Sequence, residues 1–143
     1  MKKLVSILCV LLIGISTSVF AQISDIIDTR NEFGGETMMT PFSADDEEYK
    51  EGVAKTIVYL NDNYKILKRE VIRTDEYNKR SGIVKSITYF DNGDKITRDE
   101  YFYNDNYAMQ KGIAKEIFYF DNNEKKVKAE AYDLKGLLIK SSQ

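Results

Sequence analysis

The chain has 143 residues, 21 Lys and Arg against 23 Asp and Glu, one Cys, one Pro and no His or Trp. Once residues 1–21 are set apart, the net charge is −4 and neither His nor Cys remains. That composition suits one domain and excludes Ser-His or Cys-His nucleophilic catalysis, disulfides, and the His/Cys ligand sets that zinc usually takes.

Residues 1–21 read as a signal peptide. Lys2 and Lys3 precede an almost unbroken apolar run, Leu4 to Ile15, and Val19-Phe20-Ala21 fits cleavage after Ala21. The run is shorter than the roughly 20 residues of a membrane-spanning helix. Cys9 is a poor lipidation site, because bulky Leu8 precedes it and the apolar run continues past it. The expectation is an exported protein, periplasmic or extracellular, without a stable membrane anchor.

Residues 22–51 form an N-terminal segment. Within Gln22 to Asn31, Ser24 is placed to cap a short helix bearing Ile26, Ile27 and Arg30, with a loose terminus as the alternative. Thr37 to Ser43 reads as an extra strand, with Pro41 suited to an edge, where a missing N–H is tolerated.

Residues 52–143 repeat with a period of 30, in units 52–81, 82–111 and 112–141. Gly52, Gly82 and Gly112 recur at that spacing, as do Lys55/Lys85/Lys115, Ile57/Ile87/Ile117, Tyr59/Tyr89/Tyr119, Lys65/Lys95/Lys125 and Glu70/Glu100/Glu130. Each unit opens with β-branched and aromatic residues, crosses an Asn/Asp cluster and resumes, which is a hairpin signal. Asn92-Gly93 favours a two-residue type I′ turn. That turn would set Lys55, Lys85 and Lys115 opposite Glu70, Glu100 and Glu130. It would also set Val53, Ile83 and Ile113 opposite Ile72, Phe102 and Tyr132. Asp75 to Ser81 and Asp105 to Lys111 read as polar connections ending at a Gly bend or bulge. Leu137 to Lys140 is placed to pair as a last strand.

The predicted fold is all-β: an antiparallel meander of three 30-residue β-hairpin repeats forming an open twisted sheet. The alternative is a small closed β-barrel, for which about eight strands suffice, and it would make the protein a carrier with an interior cavity for a small apolar ligand. Neither face alternates cleanly between apolar and polar residues. A Lys–Glu ladder favours the open sheet, because it is awkward in a dry interior.

A Gly, a strand ending in an aromatic pair such as Tyr89-Phe90, then Asp91-Asn92-Gly93, Lys95 and Glu100, resembles the variant MORN repeats of bacterial proteins. The resemblance covers residues 52 to about 136. It implies hairpin repeats used for binding or scaffolding, and it brings no catalytic residues.

No residue stands out as catalytic, cofactor-binding or metal-ligating. Asp91, Asp94, Asp99 and Glu100 lie close in sequence, but a carboxylate whose charge pair recurs in three units reads as structural. Asp91-Asn92-Gly93-Asp94 lacks the alternating ligands of a calcium loop, and turn chemistry explains it. The Lys125, Lys126, Lys128 stretch reads as a solvated strand face, and the net −4 argues against nucleic acid. The aromatics are the functional lead. Tyr59, Tyr89 and Tyr119 form a candidate row across the sheet, and Tyr101, Tyr103 and Tyr107 cluster near the second connection. Such a surface suits stacking on a glycan or docking of a protein. The plainer reading has the row packing on Ile66, Ile96 and the Lys126 stem. An open sheet also leaves edges for pairing into a homodimer.

Overall fold

The structure, a computed structural model, describes residues 30–143 and the backbone of residues 25–27. The signal-peptide expectation for residues 1–21 lies outside the described residues. The strands are β1 (Asp25–Ile27), β2 (Gly34–Pro41), β3 (Val53–Asn61), β4 (Ile66–Arg73), β5 (Ile83–Phe90), β6 (Ile96–Tyr103), β7 (Lys115–Phe120), β8 (Lys126–Tyr132) and β9 (Leu138–Ser142). They form one antiparallel meander in which each strand pairs with its sequence neighbours, and β1 and β9 are its two edges. The sheet does not close, so the barrel alternative and the interior cavity it would supply are both excluded.

The segment expected to be a short helix or a loose terminus contributes β1 instead, paired with Thr37–Met39 of β2. Pro41 faces Lys55 of β3 and lies beyond the three residues paired with β1.

The hairpin turns recur with the same chemistry. Asn61, Asp91 and Asp121 each accept two backbone N–H groups on the side-chain oxygen, from Asn63 and Lys65, Gly93 and Lys95, and Asn123 and Lys125, at 2.7–3.0 Å. Tyr64, Asp94 and Glu124, three positions on, have φ of 60°, 64° and 57°. This is a three-residue loop, a type I turn followed by a left-handed residue and a bulge, in place of the expected two-residue loop. Asn31 stands 30 residues before Asn61, and Gly34 takes φ 85° in the matching place. The turn geometry of the repeat therefore starts one unit earlier than the sequence identities do.

The longer loop corrects the register by two residues. Ile57, Ile87 and Ile117 face Glu70, Glu100 and Glu130. Lys55, Lys85 and Lys115 face Ile72, Phe102 and Tyr132, so the expected Lys–Glu pairs are not opposite one another. Val53 and Ile83 face Arg73 and Tyr103 rather than Ile72 and Phe102, and Tyr132 is taken by Lys115 rather than Ile113. Because side chains alternate with period two, a slip of two changes partners and keeps faces.

The connections expected to be polar loops are helices. After the short α1 (Glu47–Lys50), α2 (Asp75–Ser81) and α3 (Asp105–Lys111) are each capped by a side chain, Thr74 or Asn104, that accepts the N–H of Tyr77 or Tyr107. Each ends on a left-handed glycine, Gly82 at φ 79° and Gly112 at φ 73°. The repeat glycine is thus a helix terminator rather than a strand bulge. Two of these glycines have a second role, because the Tyr77 ring lies against Gly52 and the Tyr107 ring against Gly82. A Cβ at either glycine would fall 2.4–2.5 Å from a ring carbon. Nothing approaches Gly112 in that way.

No second layer covers the sheet among the described residues. The buried apolar side chains are Leu60, Ile87, Ile117 and Ala131 on the sheet and Ala108 on α3, and Glu100 is buried on the sheet as well. Stability must therefore come from cross-strand pairs and from long side chains laid over rings.

Candidate functional site

The corrected register puts Tyr59, Tyr89 and Tyr119 in one row on one face, as expected, but with cations between them. Across the sheet the row reads Tyr59, Lys68, Tyr89, Arg98, Tyr119, Lys128, each facing the next. Strands lie about 4.8 Å apart, so the tyrosines are about 10 Å apart and cannot stack on each other. The cations fill the gaps. Lys68 Nζ lies 4.3 Å from the Tyr59 ring centroid, Arg98 Cζ 3.8 Å from that of Tyr89, and Lys128 Nζ 5.2 Å from that of Tyr119. The packing expected on Ile66, Ile96 and Lys126 is not formed across the strands, since those residues face Leu60, Phe90 and Phe120.

The neighbouring row on the same face alternates Ile57, Glu70, Ile87, Glu100, Ile117, Glu130. Each Glu is held by the cation two residues earlier on its own strand: Lys68–Glu70 at 3.2 Å, Arg98–Glu100 at 3.0 Å and Lys128–Glu130 at 2.6 Å. Lys85, the expected partner of Glu100, instead approaches Glu70 at 4.0 Å. A third row has Lys85 4.7 Å from the Phe102 ring and Lys115 4.7 Å from that of Tyr132. Alternation of charged residues with rings or isoleucines within each row explains why the sequence shows no clean polar face.

Tyrosine hydroxyls complete two of the three Glu sites. Tyr59 donates to Glu70 and Tyr119 to Glu130, both at 2.9 Å. Burial, then the adjacent carboxylate, raises the pKa of both phenols. Tyr132 also donates to Glu130, at 2.8 Å. Lys128 foremost, then the Tyr132 and Tyr119 hydroxyls, pull the Glu130 carboxyl from 4.5 down to about 2. A depressed native pKa gives stabilisation that is complete above the unfolded value and is lost as pH falls through the native one. The unfolding midpoint should therefore hold steady above about pH 4.5 and decline between 4.5 and 2. Thermal melts across that window check this, and Glu130→Gln should flatten the decline.

Tyr101, Tyr103 and Tyr107 do not join this row. Tyr101 faces Ser86 and Glu116 on the opposite side of the sheet and meets Phe118 edge-on, with centroids 5.8 Å apart. Tyr103 stacks on Tyr107 of α3 at 4.4 Å and donates its hydroxyl to Glu116. Burial first, then Glu116, raises the Tyr103 pKa. The six candidate tyrosines thus split between two surfaces.

The row opens into a groove of about 340 Å³ lined by Phe33, Leu67, Tyr89, Phe90, Thr97, Arg98 and Tyr119. Leu67 and Thr97 are the residues bulged out after the turns, where the pairing shifts between Tyr59 and Leu60 and between Tyr89 and Phe90. Sequence reasoning missed Arg98 and Phe33. Arg98 was findable, since positions 68, 98 and 128 carry Lys, Arg and Lys at the repeat spacing.

No protein-family model, curated protein or solved structure matches this chain. Its chemistry is therefore read from its own residues.

The carboxylates near the second turn serve other ends. The Asp91 carboxyl accepts the Lys95 and Gly93 N–H groups, which lower its pKa in that order. Asp99 and Glu100 are neighbours on β6 and point to opposite faces. Among the described residues, no three Asp, Glu, His or Cys side chains converge in a way that could hold a metal ion. The recurring Lys65 and Lys95 each donate to a backbone carbonyl in the next unit's turn: Lys65 to Asn92 O, and Lys95 to Asn122 O at 2.6 Å. They tie the first turn to the second and the second to the third.

Proposed function

We propose that this protein is an exported, non-enzymatic binding or scaffolding module whose Tyr59–Tyr89–Tyr119 face receives a protein or a glycan. The observation that carries the reading is the open groove centred on Tyr89, Arg98 and Tyr119, on a sheet face that no other described element covers. Aromatic rings with an apolar body and a polar tip, fixed on strands, suit stacking on sugars and docking of peptides alike. The MORN-type resemblance points toward binding or scaffolding too, and residues 22–143 lack the His and Cys of the commonest nucleophilic mechanisms. Nucleic acid is a poor fit for a chain with net charge −4 in that stretch.

The test is a glycan array together with a pull-down from envelope or culture medium. Tyr89→Ala should abolish capture while circular dichroism stays that of the folded sheet. Normal capture by the folded variant would sink the reading. Tyr89 is preferred to Tyr59 or Tyr119, whose hydroxyls hold buried-side carboxylates and whose loss would confound binding with stability.

The partner is extended by a second copy at the sheet edge. β9 has no Pro, a single charge at Lys140, and exposed Leu138 and Ile139, features that edge strands usually avoid. Light scattering should give a dimer mass, returned to monomer by Ile139→Lys. A monomer at high concentration would contradict it.

A further inference from the structure

Unit two differs from its neighbours at the groove. Lys68 is held by two carboxylates, Glu32 and Glu70, each at 3.2 Å. Lys128 is held by Glu130 at 2.6 Å. Arg98 meets Glu100 through Nε, at 3.0 Å. That approach is too poorly aligned to count as a hydrogen bond, so it is an ion pair alone. Among the described residues, nothing accepts from the terminal nitrogens of Arg98. The Tyr89 hydroxyl, unlike those of Tyr59 and Tyr119, does not donate to the Glu of its unit.

The groove therefore combines ring walls, Tyr119 and Phe33, with a guanidinium whose Cζ lies 3.8 Å from the Tyr89 ring centroid, beside the Tyr89 phenol. Arg98 is its one charged lining residue. A planar guanidinium with free terminal N–H groups matches the two oxygens of a carboxylate, whereas an ammonium acts only as a point charge. Stacking on Tyr89 holds the fork in place before a ligand arrives. A volume of about 340 Å³ is at the small end for ligand pockets, room for one or two rings.

We propose that this groove binds a carboxylate-bearing ring compound, an acidic sugar or an aromatic acid, with Arg98 and Tyr89 holding the carboxylate and Tyr119 and Phe33 covering the ring. The proposal rests on the binding-module reading and deepens it by naming the ligand chemistry.

The experiment is a titration of the folded protein followed by NMR shifts of the Tyr89, Arg98 and Tyr119 side chains. The probes are glucuronate, phenylacetate, methyl glucoside and acetate. Saturable shifts with glucuronate mark a sugar-acid site and with phenylacetate an aromatic-acid site, and either supports the proposal. Methyl glucoside and acetate should bind about tenfold more weakly, as each lacks the ring or the charge. Arg98→Lys should weaken binding about tenfold while leaving the fold intact, because Lys occupies the matching places at 68 and 128. Tyr89→Phe should weaken it about threefold. Acetate binding as well as the ring acids, or Arg98→Lys binding as wild type, would overturn the proposal, as would silence from all four probes. Silence with Tyr89-dependent capture in the pull-down would leave the broader binding reading standing, whereas loss of both would end both.

Discussion

Gly82→Ala is expected to destabilise the protein by about 2–5 kcal/mol, while Gly112→Ala costs only about 1–2 kcal/mol. Both glycines end a helix in the left-handed region, so both substitutions carry the backbone strain of a side chain there. Only Gly82 also has the Tyr107 ring packed on it, with a ring carbon 2.5 Å from where a Cβ would stand. That ring cannot retreat freely, because Tyr107 is stacked on Tyr103 at 4.4 Å and its N–H is bonded to the Asn104 side chain at 2.7 Å. Urea unfolding of the two variants side by side measures the difference, and equal losses would mean that the ring contact contributes nothing. Gly52→Ala should behave like Gly82→Ala, because Tyr77 approaches it to 2.4 Å.

Ile87→Ala should cost about 2–4 kcal/mol, as large for a residue in a one-layer sheet as for a side chain in an ordinary core. Ile87 is 6% exposed, although no second layer covers it. It is sealed by its own row, Glu70 on one side and Glu100 on the other, and by the cations that hold those carboxylates. Removing it takes away apolar contact and also wets two ion pairs. Ile139→Ala on β9, where the side chain is 50% exposed, should change stability by less than about 0.5 kcal/mol. Chemical denaturation of the two variants checks the contrast, and comparable losses would argue against the row as the unit of stability.

The period, the open meander and the row of Tyr59, Tyr89 and Tyr119 were legible because each depends only on spacing. Residues 30 apart in a regular meander occupy the same place two strands on, whatever the details of the turn. The register was not legible in the same way. Asn92-Gly93 is a strong type I′ signal, but the same slot in the other units is Asp62-Asn63 and Asn122-Asn123, without Gly. The Asx side chain one position earlier fixes a longer loop, and a left-handed Tyr64, Asp94 or Glu124 closes it. The resulting slip of two kept Lys85, Ile87 and Tyr89 and their equivalents on the expected face and replaced their partners, while the strand ends beyond the bulges slipped by one.

The helices escaped notice because seven residues, with one apolar or aromatic side chain in α2 and three adjacent ones in α3, carry no hydrophobic period. Their legible marks were the caps: Thr74 and Asn104 each stand eight residues before a repeat glycine. Arg98 escaped because attention to identical positions passes over a place that is Lys, Arg and Lys. It is the departure from Lys there, in the unit that holds the groove, that distinguishes one tyrosine from its two counterparts.

The central claim is the corrected register, since it places a cation between successive tyrosines and forms the groove. Cross-strand proton NOEs between β5 and β6 test it most directly. Contacts linking Tyr89 with Arg98, Ile87 with Glu100 and Lys85 with Phe102 are the predicted result. Contacts linking Lys85 with Glu100 and Tyr89 with Ile96 would contradict it, because the row, the ion pairs and the groove would then not form together.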